Sequence, residues 1–284
     1  MDINTATQFC GVIGNPIEHS LSPAIHNAAF QKLTLNFVYL AWKVERIGDA
    51  VSGLRALGNF RGASVTIPHK VAVLPLLDEV DTTARHIGAV NTIVAEEGKL
   101  LGMNTDATGA LRALREGNAP LKGASVVILG SGGAARAIAF ALAAEAGVRR
   151  FDLLGIEVDE RRNLATDLRD KTGVSVGESD LDEGRLKDVL AEARVLIHCT
   201  PVGMAPKTGR SCVPAKFLHR ELTVMDVVYN PRETQLLTEA KAAGCRTISG
   251  LEMFLYQAVA QFERWTGRSA PIQVMRAVLE SRFP

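Results

Sequence analysis

One stretch limits the possible folds more than any other: Val127-Ile128-Leu129-Gly130-Ser131-Gly132-Gly133-Ala134-Ala135-Arg136-Ala137. The β-branched, apolar run from Ser125 to Leu129 has the length of a buried strand. It ends in a glycine-rich turn that leads directly into Gly132 to Glu145, an alanine-rich segment with high helix propensity. The turn reads G-x-G-x-x-A, with Ala135 in the third position. Gly130 permits the tight turn, Gly132 lets the backbone approach a pyrophosphate, and Ala135 keeps the helix close to the strand. The helix N-terminus then offers N–H groups and a positive dipole end to phosphates. A plain βα turn also uses glycines, so the pattern alone is compatible with either reading. Its context is what a dinucleotide site requires: a strand before, a helix after, and another apolar strand at Phe151 to Leu154.

The rest of the chain must be arranged around that unit. With 284 residues, one large or two modest domains are expected. Apolar residues at 47% support sizeable cores and argue against disorder. A net charge of +1 gives no electrostatic case for nucleic acid or an anionic membrane as partner. No basic-then-apolar leader opens the sequence and no apolar run is long enough to span a bilayer, so a cytoplasmic location is expected. Cys10, Cys199, Cys212 and Cys245 are scattered, as reduced thiols would be. A site built from His198, Cys199, Cys212 and His219 fits no zinc spacing, and no metal is expected.

In chain order, Phe9 to Gly14 reads as a first strand running into a loop. Ser22 then Pro23 reads as a capping hydroxyl and a proline at the first helical position, opening a helix over Ala24 to Leu33. Phe37 to Trp42 is a second strand, and Arg46 to Leu57 has helical apolar spacing. Ala63 to Thr66 is a short strand, after which Pro68 is expected to start a helix with Lys70 in its first turn. Asn91 to Ala95 and Lys99 to Met103 look like a strand pair, and Asp106 to Glu116 like a helix. Strands at Ser125–Leu129, Phe151–Leu154, Val195–His198, Thr223–Val227 and Arg246–Ile248 alternate with helical patterns. Such alternation predicts a parallel Rossmann-type sheet. Leu251 to Trp265 and Pro271 to Phe283 read as two closing helices that return to the first domain. The expected fold is α/β in two domains: residues 1–107 with 251–284 for substrate, and 108–250 for a dinucleotide.

Lys70 and Asp106 suit a proton-transfer pair, in which the carboxylate orients the ammonium and the lysine exchanges a proton with a substrate oxygen. A solvated lysine and a helix-capping aspartate would read the same way in isolation.

Taken together, the segments resemble the shikimate dehydrogenase family. The matches run along nearly the whole chain: Gly14-Asn15-Pro16-Ile17-Glu18-His19-Ser20-Leu21-Ser22-Pro23 with His26-Asn27; Val65-Thr66-Ile67-Pro68-His69-Lys70; Gly88-Ala89-Val90-Asn91-Thr92; Asn104-Thr105-Asp106; Gly130-Ser131-Gly132-Gly133-Ala134; Thr200-Pro201-Val202-Gly203-Met204; Asp226-Val227-Val228-Tyr229-Asn230-Pro231 with Thr234; and Gly250-Leu251-Glu252-Met253 with Gln257. The resemblance implies a substrate domain completed by the C-terminal helices and a Rossmann domain. It implies reversible oxidation of shikimate (or quinate) to the 3-dehydro ketone, with a nicotinamide cofactor and a small-molecule substrate. Lys70 and Asp106 match the family's catalytic pair. Ser20 and Ser22 match the hydroxyls that hold the substrate carboxylate. Thr66, Asn91 and Gln257 match groups that bind ring hydroxyls, and Tyr229 matches a tyrosine near the substrate. On the cofactor side the candidates within the matched segments are Gly130, Ser131, Gly132, Gly133, Ala134, Thr200, Pro201, Val202, Met204, Val227, Gly250 and Met253, and Glu157 is a further candidate outside them. Each has a plainer alternative, such as packing for Tyr229 and Met253 or a helix surface for Gln257.

Three departures from the family pattern matter. Ser64 stands where many members have asparagine, and His198-Cys199 replaces the usual asparagine before Thr200-Pro201. After the second Rossmann strand, the NADP-using members carry Asn-Arg-Thr, whose arginine meets the 2′-phosphate. This chain has Gly155-Ile156-Glu157-Val158-Asp159-Glu160 instead. An acidic residue about 20 residues past the glycine turn is an NAD mark, because it accepts from the ribose 2′-hydroxyl and repels a 2′-phosphate. NAD is therefore the expected cofactor, with Arg161 and Arg162 as candidates to swing toward a phosphate if NADP is used. An NADP-dependent biosynthetic enzyme and a non-catalytic ligand-binding protein on the same fold are the alternatives. Either a monomer or a homodimer is compatible with the sequence.

Overall fold

The computed structural model describes residues 2–282. Phe283, expected at the end of the last helix, lies outside the described residues. The chain divides into two compact units, Met1–Thr105 with Gln257–Pro284, and Asp106–Tyr256.

The first unit begins with β1 (Gln8–Gly14), α1 (Ser22–Lys32), β2 (Phe37–Lys43), α2 (Ile47–Arg55) and β3 (Phe60–Val65). It continues with β4 (Glu79–Val80), α3 (Thr82–Ile87), β5 (Thr92–Glu96) and β6 (Lys99–Met103). The sheet order is β2-β1-β3-β5-β6-β4. β1 runs parallel to both β2 and β3, whereas β5 pairs antiparallel with β3 and β6. Because β1 is central and covered on both faces, its last five residues are all buried. Ile13, Val65, Val73, Ile93 and Leu100 belong to one apolar cluster with Phe60. The far C-terminal residues return to this core. Trp265 donates its indole N–H to the Ile93 carbonyl at 2.9 Å and lies beside His26 and Tyr39.

The helix expected to start at Pro68 does not form. Residues 68–73 are turns, followed by a 3₁₀ segment at Leu74–Leu76. The Lys70 carbonyl, which a helix would use four residues on, accepts instead from Val90 N at 2.8 Å. Pro75 then brings no N–H to continue a helical ladder. Two further differences are small. Helix α1 begins at Ser22 itself with Leu21 at the cap position, so Ser22 is the first helical residue and not the cap. The edge strand β4 and helix α3 carry too few residues to leave a periodic signal.

The second unit contains α4 (Thr105–Glu116), β7 (Ser125–Leu129), α5 (Gly133–Glu145), β8 (Arg150–Leu154), α6 (Val158–Thr172) and β9 (Ser175–Ser179). After them come α7 (Glu183–Glu192), β10 (Val195–His198), β11 (Thr223–Asp226), α8 (Gln235–Ala242) and β12 (Arg246–Ser249). Helices α9 (Gly250–Thr266) and α10 (Ile272–Glu280) close the chain, and α10 packs against α1 in the first unit. The sheet order is β12-β11-β10-β7-β8-β9, parallel throughout. In order of appearance that is 6-5-4-1-2-3, the doubly wound order in which the topology reverses between the first and fourth strands. The expected α/β architecture with a Rossmann-type sheet is therefore observed. Strand β9 went unread in the sequence because Ser-Val-Gly-Glu-Ser lies at a sheet edge and buries little. Among the described residues, no helix is long and apolar enough to cross a membrane.

Candidate functional site

In the second unit, the turn after β7 and the turn after β10 meet at the reversal point of the sheet. Gly130 ends β7 with φ +100°, and a Cβ there would lie 3.1 Å from the Cys199 carbonyl oxygen and 3.3 Å from Thr200 Cγ2. Only glycine permits both that dihedral and that approach. Gly132, in extended conformation, precedes α5, and no side chain caps the helix. Nothing lies within 4 Å of a Cβ built at Gly132 or Gly133. An uncapped helix start with open space over its glycines fits a pyrophosphate on the first-turn N–H groups. Ser131 and Ala134 are half-buried beside that opening. Arg136, one turn into the helix, is paired with Asp167.

Strand β8 leads to the position expected to distinguish the riboses. Gly155 follows it, then Ile156 and Glu157, both exposed. Glu157 stands at the cap position of α6 but makes no capping hydrogen bond. The idea that Arg161 swings toward a phosphate is corrected by its surroundings. Its side chain is 4% exposed, with Nε donating to Glu178 Oε2 at 2.6 Å and Nη1 to Asp180 Oδ1 at 2.8 Å. Nη1 also donates to the Gly155 carbonyl. A buried guanidinium held by two carboxylates and a carbonyl would give up those hydrogen bonds if it moved. Arg162 remains on the surface, 3.8 Å from Glu178.

The other cofactor-side positions sit on the turns after β10 and β11. Thr200 Oγ1 accepts from Val202 N at 3.3 Å, while Pro201 and Met204 are exposed. Val227 N donates to the His198 carbonyl at 2.9 Å. At Gly250, the first residue of α9, a Cβ would fall 2.2 Å from the Val227 carbonyl oxygen, so the helix start is pressed onto that turn. Met253 is buried, and Tyr229 rests on Phe254 with ring centroids 5.3 Å apart. Burial pushes the Tyr229 phenol pKa up.

In the first unit, the residues expected to hold substrate adjoin a buried polar chain. Ser20 Oγ accepts from Ser22 N at 3.3 Å. The buried Ser22 hydroxyl reaches Tyr39, whose phenol burial holds protonated. Tyr39 Oη lies 2.6 Å from Ser64 Oγ, which donates to Gln261 Oε1 at 2.9 Å. Gln261 Nε2 donates to Thr92 Oγ1 at 2.9 Å, and Thr92 Oγ1 donates to Asn91 Oδ1 at 2.8 Å. Asn91 Oδ1 also accepts from Thr105 N at 2.7 Å. With its carbonyl end consumed, the NH₂ end of Asn91 is the one that can serve a ligand.

The same bonds hold the catalytic candidates. The Lys70 carbonyl is tied to Val90, the neighbour of Asn91, and Asn91 is tied to Thr105, the neighbour of Asp106. Thr66 is held through its backbone to Ile13 and His69. Asp106 is not a cap, because α4 already starts at Thr105. Gln257 is largely buried on α9.

Two groups escaped the sequence reading. Gln261 sits four residues beyond the matched Gln257, on the same helix face, and a helical wheel would have flagged it. His198 and Asp226 end adjacent strands and face each other in register. Only strand order reveals that pairing. Of the group weighed for a metal, His219 lies apart, its Nε2 contacting the Leu190 carbonyl at 3.1 Å. Among the described residues, no three of His, Cys, Asp and Glu are grouped so as to hold a metal ion.

A parallel sheet in doubly wound order, with an uncapped glycine-led helix at its reversal point, is the architecture of a dinucleotide-binding α/β oxidoreductase. Residues 12–93 match the model of the shikimate dehydrogenase substrate binding domain, and residues 250–280 that of the shikimate 5'-dehydrogenase C-terminal domain. A protein of Methanopyrus kandleri named shikimate dehydrogenase (NADP(+)) is 48% identical, over 99% of this chain and 98% of its own length. The structure of shikimate 5-dehydrogenase from Listeria monocytogenes in complex with shikimate and NAD superposes with a TM-score of 0.94. It is 38% identical and covers 98% of each chain. Quinate dehydrogenase from Corynebacterium glutamicum in complex with NAD gives a TM-score of 0.90 at 34% identity, covering 97% of this chain and 99% of its own. The chain belongs to the shikimate dehydrogenase family.

Proposed function

We propose that this protein catalyses the reversible NAD-dependent oxidation of shikimate, or of quinate, to the 3-dehydro ketone. In this reading Asp106–Tyr256 is the dinucleotide-binding domain, and the first unit binds the substrate. The observation that carries it is the hydrogen-bonded run from Lys70 through Val90, Asn91 and Thr105 to Asp106, which holds three matched polar residues by backbone and buried side chains. Ser20 and Ser22 take the substrate carboxylate at the start of α1, where the helix dipole favours an anion. Asn91 donates to a ring hydroxyl, with Thr66, Gln257 and Tyr229 completing the contacts. Lys70 Nζ takes the alcohol proton on oxidation and returns it on ketone reduction, while Asp106 orients the amine. A nicotinamide dinucleotide, when bound, supplies the two-electron redox partner. Gly130 to Ala134 would hold its pyrophosphate, with the turns at Thr200–Met204 and Val227, Gly250 and Met253 at its nicotinamide end.

Preference for NAD is supported by the exposed Glu157 and by the commitment of Arg161 to Glu178 and Asp180. A carboxylate facing a 2′-phosphate costs several kcal/mol. The second reading is an NADP-dependent biosynthetic shikimate dehydrogenase, favoured by the name of the Methanopyrus relative and by the surface position of Arg162. Initial rates with shikimate and quinate, each with NAD and with NADP, separate the two. A large NAD preference supports the first reading and an NADP preference replaces it with the second. The absence of any rate with all four pairs would sink both.

A further inference from the structure

His198 ends β10 and Asp226 ends β11, side by side in parallel register. Their side chains are 2% and 0% exposed, and His198 Nδ1 lies 2.8 Å from Asp226 Oδ1. The carboxylate is otherwise surrounded by donors. Val228 N donates to Oδ1 at 3.0 Å, and the Thr234 hydroxyl donates to Oδ2 at 2.6 Å. Thr234 in turn accepts from Leu237 N as the cap of α8. The cluster therefore ties the turn after β11 and the start of α8 to the imidazole. On its other side, His198 Nε2 is hydrogen-bonded to Thr200 Oγ1, which also accepts from Val202 N.

Counting protons decides what Thr200 can do. An ionised Asp226 requires a proton on His198 Nδ1. If Nε2 has none, Thr200 must spend its own hydroxyl proton on the ring. If Nε2 is protonated, the ring donates instead. Together with Val202 N–H it fills both acceptor sites of Thr200 Oγ1, which leaves the Thr200 proton for another acceptor. The neighbours of the ring favour the charged form. Burial draws the imidazole pKa down, but the hydrogen bond and charge of Asp226, with a smaller contribution from Cys212, outweigh it and push the value up to about 9. Leu129 is its register partner on β7, and burial keeps the adjacent Cys199 thiol protonated.

We propose that His198 is a positioning residue for the dinucleotide: as an imidazolium it fills Thr200 Oγ1 and so makes the Thr200 hydroxyl a donor to an acceptor oxygen of the bound molecule. This rests on the dinucleotide reading of the site. The usual asparagine of the family before Thr200-Pro201 provides an uncharged amide there. In this chain the same turn is set by a titrating group.

Nitrogen-15 NMR of the imidazole and calorimetric binding of NAD and NADP test the proposal together. Near neutral pH both His198 ring nitrogens should carry protons, and dinucleotide affinity should fall at least about fivefold as the pH is raised through about 9. His198→Asn should bind with no such pH dependence. Thr200→Val, which leaves the ion pair in place, should bind at neutral pH with the weakened affinity of the wild type at high pH. A singly protonated ring near neutral pH, or a Thr200→Val protein that keeps the wild-type pH profile, overturns the proposal while leaving the dinucleotide reading intact. A doubly protonated ring in a protein that binds neither NAD nor NADP overturns the dinucleotide reading and the proposal with it.

Discussion

Gln261→Leu probes the buried polar chain beneath the substrate side. Gln261 is 1% exposed. Its Oε1 is the acceptor for Ser64, and its Nε2 donates to Thr92 at 2.9 Å and reaches the Asn91 carbonyl at 3.5 Å. Leucine has nearly the same volume, so the substitution opens little cavity and mainly removes hydrogen bonds. A buried group left without its partner costs about 1–3 kcal/mol. Ser64 loses its acceptor but can redirect its proton to Tyr39 Oη, 2.6 Å away, and Thr92 loses a donor while still donating to Asn91. The net loss should therefore be about 1–3 kcal/mol. Urea denaturation measures it as a lower midpoint at unchanged slope. Ser64→Ala removes the same Ser64–Gln261 bond, so the double variant should be more stable than the sum of the singles by about 1 kcal/mol. Because Thr92 holds Asn91, KM for the alcohol substrate should rise more than kcat falls. A loss below about 0.5 kcal/mol, or strict additivity with Ser64→Ala, would refute the argument that this chain is a coupled network.

Three other outcomes are expected. Lys70→Ala should lower turnover by at least about 10², while substrate affinity changes far less; unchanged turnover removes Lys70 from the chemistry. Gly250→Ala must push a Cβ into the Val227 carbonyl, 2.2 Å away, and should destabilise the fold by about 1–3 kcal/mol. A thermal midpoint equal to the wild type would show that the helix start shifts freely. Stability should also fall as pH rises from about 6.5 to about 9, since the His198 pKa is raised in the fold. The imidazolium contribution is complete below the unfolded value and disappears through the folded one. Denaturant midpoints at several pH values should show this decline in the wild type and lack it in His198→Asn; parallel profiles would refute it.

Much of the architecture was legible because its signals are local. The G-x-G-x-x-A turn, the apolar strand before it and the alanine-rich helix after it lie within a few residues of one another. Strands β7 and β10 are legible at their observed bounds because a strand buried on both faces reads as a nearly continuous apolar run. Helix α4, expected over Asp106 to Glu116, begins one residue earlier at Thr105. Where burial is slight the signal fades, as at β9, and where a distant backbone group captures a carbonyl, as Val90 does at Lys70, local propensity is overruled.

The sequence by itself determined the family, the doubly wound unit and the candidate residues, since these follow from short motifs and from periodicities of two and 3.6 residues. Tertiary structure alone decided which polar groups remain available. Arg161 reads as a mobile cation until Glu178 and Asp180 close around it, and Ser64 reads only as a departure from the family's asparagine until Tyr39 and Gln261 are found beside it. His198 reads as a substitution until Asp226 is found beside it. Each of these depends on partners brought together from separate strands and helices. A hydrogen bond between buried groups is set by distance and direction in space, which a linear pattern does not encode.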